Sequence, residues 1–242
     1  LQETFDEGNE AFWSGDFERA VESYEELVEL GVWDPDVFHN LGTAHARLGH
    51  YGPAILNLER ALALNPGHEE ARDNLQTVRR ALARRRTSEG RDAVLDPPRS
   101  FWKNFMARVT PAQLAIPFLI LWITFFVVIG VRRVTMSEVT RMVLLIVGFL
   151  LGTGSVVTGV LLFGKASFDA EEREAIVIRA GEAMMREGPG DQFRRVTTQP
   201  EGDRLTVLDR EGEWLHLRDR EGNEGWGLLR DFGELRPWRE EQ

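Results

Sequence analysis

The sequence predicts a multi-domain membrane protein: an all-α helical-repeat domain, a two-helix transmembrane hairpin and a small all-β barrel. Three observations predict it. A period of 34 residues runs through the first 66, two apolar runs of 21 and 22 residues without charge lie in the middle, and short strand-like segments separated by Gly-containing turns follow residue 174. The formal net charge of −10 hides a block structure: residues 1–86 sum to −7, residues 87–165 to +4 and residues 166–242 to −7. With no domain-sized basic patch to neutralise phosphates, a nucleic-acid partner is excluded. The chain has no cysteine, which excludes disulfide frameworks, Cys-ligated zinc and thiol catalysis.

Within residues 1–86, Gly8 pairs with Gly42, Gly15 with Gly49, Phe17 with Tyr51, Ala20 with Ala54, Tyr24 with Leu58 and Leu27 with Ala61. Small residues at a fixed spacing let helices cross closely, glycines suit the turns between them, and Pro66 stops the second unit. This pattern resembles the tetratricopeptide repeat, with Phe38, Leu41, Gly42, Ala54, Ala61 and Pro66 at the family's positions in the second copy. A third segment, GHEEARDNLQTVRRALARRR, starts a helix without a partner before Pro97 and reads as the cap on the last repeat.

The resemblance implies a partner-binding groove formed by the first helix of each repeat, lined here by Phe5, Asn9, Phe12, Trp13, His39, Asn40, Thr43 and Arg47. Some family members clamp a terminal carboxylate with two asparagines and several cations. Asn9 and Asn40 occupy the asparagine positions, but Phe5, Glu70 and Asn74 stand where cations are needed, so no carboxylate clamp is expected. The asparagines are expected to satisfy backbone groups between helices. Residues 1–36 hold 12 acids and one Arg, which suits either a solvated face or a basic partner.

Residues 87–110 read as a linker followed by FWKNFMARV, which forms either a helix lying in the headgroup layer or an early start to the first span. Residues 111–131 and 142–163 are each long enough to cross a hydrocarbon layer of about 30 Å, and the ten-residue loop 132–141 makes them a hairpin. Both flanking domains therefore face one compartment. Arg132, Arg133 and Arg141 favour a cytoplasmic loop. A chain beginning at Leu1 fits a mature protein after signal-peptide removal, and equally a truncated one. The expectation is a multi-pass protein of a bacterial inner membrane with both soluble domains extracytoplasmic. In the second span Gly148, Gly152, Ser155 and Gly159 share one face, where small residues allow close packing against the first span.

Residues 174–236 contain IVIR, RLTVLD, EWLHLRD and GWGLL separated by EGD, EGE and EGN turns. With Arg186-Glu187-Gly188-Pro189, Glu213-Trp214 and Gly222-x-x-Gly225-Trp226, this looks like a bacterial SH3-like domain. Trp214 and Trp226 either form an exposed aromatic groove or fill the interior; a barrel with so little core favours burial of both.

No catalytic constellation assembles. Asp231-Phe232-Gly233 lacks the other kinase motifs, GTGS at 152–155 lies inside an apolar run, and His39, His45, His50 and His216 lack companions at ligand spacing. The reading is a non-enzyme without cofactor or metal. The order of parts resembles the BatE-type aerotolerance proteins, most recognisably at residues 36–44 and 186–189. That resemblance implies von Willebrand A-domain (Bat-type) and MoxR-type ATPase partners. The expected function is a membrane scaffold of two separate acidic modules; the alternative is a sensor binding peptidoglycan through the SH3-like domain.

Overall fold

The helices of the first 88 residues follow from their caps and their small residues. The computed structural model describes residues 1–90, 109–171 and 173–236, with residues 167–171 described by backbone alone. Helices α1 (Gln2–Ser14), α2 (Phe17–Glu29), α3 (Pro35–Arg47) and α4 (Tyr51–Leu64) form two antiparallel hairpins, and α5 (Glu69–Ser88) packs on the second. Asp16 caps α2 by accepting from the Arg19 amide at 3.2 Å, and Asp34 caps α3 by accepting from the Asp36 amide at 2.8 Å. Gly42 is required for the close approach of α3 and α4, because a Cβ there would lie 2.8 Å from Leu58 Cγ. Helix α5 buries Ala71, Leu75, Val78, Leu82 and Arg86, a stripe at helical spacing.

Strands β1 (Glu174–Val177), β2 (Glu182–Arg186), β3 (Arg195–Pro200), β4 (Arg204–Glu211), β5 (Trp214–Arg218), β6 (Glu224–Leu228) and β7 (Phe232–Glu234) form one antiparallel sheet in the order β3-β2-β6-β5-β4-β1-β7. Its interior holds Ala175, Val177, Ala183, Met185, Leu205, Val207, Leu215, Leu217 and Phe232. Strand alternation sends Ile176 the other way. It joins Phe38, Ile55, Leu56, Leu75, Leu82 and Leu235 in a core that belongs to the helices and the barrel together.

The expectation of two separate modules is therefore corrected: residues 1–90 and 173–236 belong to one compact unit, and residues 109–171 to another. The charges explain how two acidic segments can meet. Glu201, 2% exposed, accepts from the Gly52 amide of α4 at 2.8 Å and from the Gly181 amide at 3.2 Å, and it pairs with Arg85. Arg86 donates to Asp203 at 2.9 Å and to the Glu201 carbonyl. Glu59 pairs with Arg79 and Arg204, and Arg204 also pairs with Glu174. Arg60 donates to the Glu234 carbonyl at 2.7 and 3.1 Å and lies over the rings of Trp33 and Phe38. A Cβ at Gly52 would stand 2.7 Å from the Val177 carbonyl, so α4 starts directly against β1.

The second unit contains α6 (Pro111–Val134) and α7 (Glu138–Glu171), antiparallel and long and apolar enough to cross a membrane. Helical hydrogen bonding continues past the apolar runs, so Arg132, Arg133 and Arg141 lie within helices and the turn shrinks to residues 135–137, in place of the expected ten-residue loop. Thr110 and Gln113 form a capping box at the start of α6. The headgroup-helix reading of residues 100–109 falls almost wholly outside the described residues.

Replacing Glu201 with Ala leaves the Gly52 and Gly181 amides without their shared acceptor, a cost of roughly 1–3 kcal/mol for each amide left unpaired and buried. In the intact chain in detergent, thermal unfolding should shift down. Hydrogen exchange should accelerate together in the first turn of α4 and in the Gly181 turn. Acceleration confined to the barrel would show that the two parts open independently.

Candidate functional site

The candidate groove residues fall on α1 and α3, where the helical period brings Asn9, His39, Asn40 and Thr43 into line with Asn74 of α5. Asn9 Oδ1 accepts from the Tyr24 hydroxyl at 2.7 Å and from Asn40 Nδ2 at 3.2 Å. The two asparagines thus bond each other and a buried phenol, rather than the backbone groups expected of them. The physical reason is Tyr24: it fills the space left by Gly8, and its hydroxyl needs an acceptor there. Burial pushes the Tyr24 phenol up to about 12, against the Asn40 amide, which lowers it.

Asn74 Nδ2 lies 3.0 Å from Thr43 Oγ1 and 3.1 Å from His39 Nε2, and Thr43 Oγ1 donates to the His39 carbonyl at 2.8 Å. Burial and the neighbouring His68 hold His39 below the ordinary histidine value, partly offset by Glu70 and Asp36. Phe5 and Phe12 are half-buried against the core of Ala11, Ala20, Tyr24 and Leu27. Trp13 is 84% exposed and meets Phe12 edge-on at 6.0 Å. Phe12 packs on Phe17 at 5.4 Å, and the Arg47 guanidinium lies 5.9 Å over the Phe17 ring. Trp13 and Arg47 therefore belong to an aromatic cluster at the C-terminal ends of α1 and α3, apart from the polar line. Tyr24, Phe17 and His68 were not among the expected lining residues. The 34-residue period offers a signal for His68, which takes the capping position of Asp34 in the next register.

In the barrel, Leu215, Leu217, Gly225 and Gly227 point inward, and the alternation leaves Trp214, His216 and Trp226 half-exposed on the outer face. This corrects the expectation that both tryptophans are core. Phe232 already occupies the interior beside Gly227, where a Cβ would run into its ring. Trp226 stacks on His216 with centroids 4.7 Å apart and planes 10° apart. Register pairs Arg186 with Trp226, Trp226 with His216 and His216 with Asp209, a row crossing four strands.

In the hairpin, a Cβ at Gly152 would lie 3.1 Å from the Phe125 ring, one at Gly159 3.2 Å from Phe118, and one at Gly148 3.7 Å from Val128. Ser155 is 1% exposed. Among the described residues no group of three or more His, Asp or Glu could hold a metal ion.

Comparisons with known proteins agree with this geometry. Residues 35–68 match the tetratricopeptide repeat family model, and residues 181–230 match that of the bacterial SH3 domain. Over 59 residues the chain is 37% identical to "Hsp70-Hsp90 organizing protein 2" of Arabidopsis thaliana, covering 24% of this chain and 10% of that protein. Over 90 residues it is 33% identical to "Serine/threonine-protein phosphatase T" of Aspergillus oryzae, covering 37% of this chain and 18% of that protein. The chain thus spans less than a fifth of the length of either relative. No solved structure matches.

Two outcomes test this geometry. In a Tyr51→Phe chain, absorbance titration should find the one remaining phenol ionising at about 12. The folded phenol holds its proton more tightly than the unfolded one, so its contribution to stability is complete below the ordinary value of about 10 and is lost as pH rises through the folded value. Ionisation at the ordinary value would mean that the Asn9–Tyr24–Asn40 group is not closed. Because the chain has no cysteine, a Val128→Cys/Gly148→Cys pair reports on α6–α7 packing without background. It should crosslink readily, and a Val128→Cys/Phe149→Cys pair should not.

With the geometry and the comparisons agreeing, the chain contains a tetratricopeptide repeat and a bacterial SH3 domain, two non-catalytic interaction modules, together with two helices apolar enough to span a membrane.

Proposed function

We propose that the chain is a membrane-anchored adaptor that binds protein partners through the face formed by α1, α3 and α5. One observation carries this reading. The barrel covers α4 and the C-terminal part of α5, while Asn9, His39, Asn40 and Thr43 stay half-exposed on the other side. The likeness to an Hsp70-Hsp90 organizing protein over part of the chain supports an interaction role for the repeats. The hairpin anchors the body in a bacterial inner membrane with both flanking segments extracytoplasmic. The side chains of α6 and α7 support insertion, since only 6% and 11% of their apolar windows are buried, unlike core helices of a soluble protein. The order of parts supports membership of a Bat/MoxR-type complex serving aerotolerance or envelope stress, with von Willebrand A-domain proteins and a MoxR-type ATPase as partners.

A second reading is favoured by the half-exposed Trp214–His216–Trp226 face: a cell-wall sensor that docks peptidoglycan on the barrel. Since the barrel shares its core with the helices, the intact chain is the sample that separates the two readings. An adaptor stays in solution when spun with purified cell wall. A sensor sediments and is released by Trp226→Ala.

Capture with the intact membrane protein should recover Bat-type partners, and Trp13→Ala/His39→Ala should lose them at unchanged thermal stability. Retention of every partner by that variant would sink the groove assignment. Protease added to spheroplasts should cleave both flanking segments; protection of both would reverse the orientation.

A further inference from the structure

We infer that the outer side of α5 is a docking surface for anionic lipid headgroups, with Arg80 and Arg84 as the residues that meet their phosphates. This assignment rests on the reading of the chain as membrane-anchored, and it names what holds the soluble body against the bilayer. Helix α5 has three sides in use and one left over. Leu75, Val78 and Leu82 are buried in the shared core. Asn74 bonds Thr43 and His39 beside the groove, and Arg85 and Arg86 bond Glu201 and Asp203 of the barrel. Arg80 and Arg84, about one turn apart, lie on the remaining side and are exposed.

Nothing in the body neutralises this pair. Neither arginine makes a hydrogen bond or an ion pair among the described residues. Gln76 and Thr77 fill the places one turn before Arg80, and Thr87 and Ser88 those one turn after Arg84. The nearest acid on this side, Asp73, is two turns from Arg80. Like charges at this spacing repel each other, a cost that an anion from outside removes.

The place of α5 in the chain identifies that anion. After α5 the sequence runs to α6, which begins at Pro111 and is apolar enough to cross a membrane. Residues 99–110, just before it, contain Arg99, Lys103 and Arg108 and no acid. Cations beside a membrane span are drawn to the phosphates of anionic lipids, and the planar fork of arginine bonds two phosphate oxygens at once. The rest of the soluble body is acidic, with residues 1–86 and 166–242 each at −7. An anionic bilayer therefore repels most of its surface and selects this side.

The test uses the intact chain in vesicles of phosphatidylcholine, with or without added phosphatidylglycerol. Because the chain has no cysteine, Thr87→Cys, on the same side as Arg80 and Arg84, carries a single fluorophore, and a quencher on the lipid headgroup reads its contact. Quenching should be strong with phosphatidylglycerol, weak without it, and reversed by high salt. Arg80→Gln/Arg84→Gln should lower the docked-to-free ratio about fivefold for each arginine, at unchanged unfolding temperature. Arg80→Lys/Arg84→Lys should keep most of the contact. A fluorophore at Glu22→Cys, on the exposed side of α2, should stay bright. Equal quenching in both lipids, or at both positions, would overturn the assignment. So would saturable binding of inorganic phosphate in detergent without lipid, which would make the ligand a free anion. A self-associated form in detergent that the glutamine variant loses would place the arginines against an acidic protein face and overturn it as well. If the chain floats with both kinds of vesicle and is quenched in neither, the headgroup contact falls and the anchor stands; if it floats with neither, both fall.

Discussion

The buried Glu201 carboxylate and the core beneath it hold the two halves of the soluble body together, and the rest of the architecture depends on that contact. Glu201 comes from the turn between β3 and β4, yet it satisfies an amide in the first turn of α4, where a helix always leaves donors unpaired. His50 supplies no side-chain cap at that helix, so Glu201, 149 positions on from Gly52, serves instead. Ile176 adds the apolar part by turning out of the barrel into the helical core. Because the two halves flank α6 and α7 in sequence, the chain must leave this body before the hairpin and return to it afterwards. The hairpin is an insertion into one unit rather than a tether between two.

The same contact answers a difficulty of short repeat arrays. Each repeat buries its apolar face only against a neighbour, and two repeats with one following helix leave an open end. Here the barrel closes that end. Arg60, Arg79, Arg85 and Arg86, which count in the sequence as scattered positive charge, are the residues that meet barrel groups across it. The equal net charges of the two segments are therefore no obstacle. Long-range repulsion between like totals is screened, whereas pairing at contact distance in a dry interface is not. The groove side of the helices stays uncovered as a consequence.

Some features are legible in the residues alone. The small residues at Gly8 and Gly42, the apolar runs and the strand-and-turn rhythm after residue 174 are local signals, and each leads to the element it implies. Others mislead because they depend on parity or on a distant partner. Trp214 and Trp226 look like core by size, but the strands place Leu215, Leu217 and Gly225 inward, and that parity is set by pairing partners. Asn9 and Asn40 look like ligands or backbone caps until Tyr24, 15 residues from Asn9, is seen to need an acceptor.

By itself the sequence determined the elements: which stretches are helical, which suit lipid, where strands turn, and that the chain has no thiol. These follow from short-range sterics, periodicity and composition, which are written in neighbouring residues. Only the tertiary structure decided that the repeats and the barrel are one body, that the tryptophans face outward, and that His68 meets Asp36 and Glu70 at the groove's end. Each of these depends on residues brought together from separate elements. Glu201 reads as one more acid in a turn until folding places it, desolvated, at the end of a helix that lacks a cap.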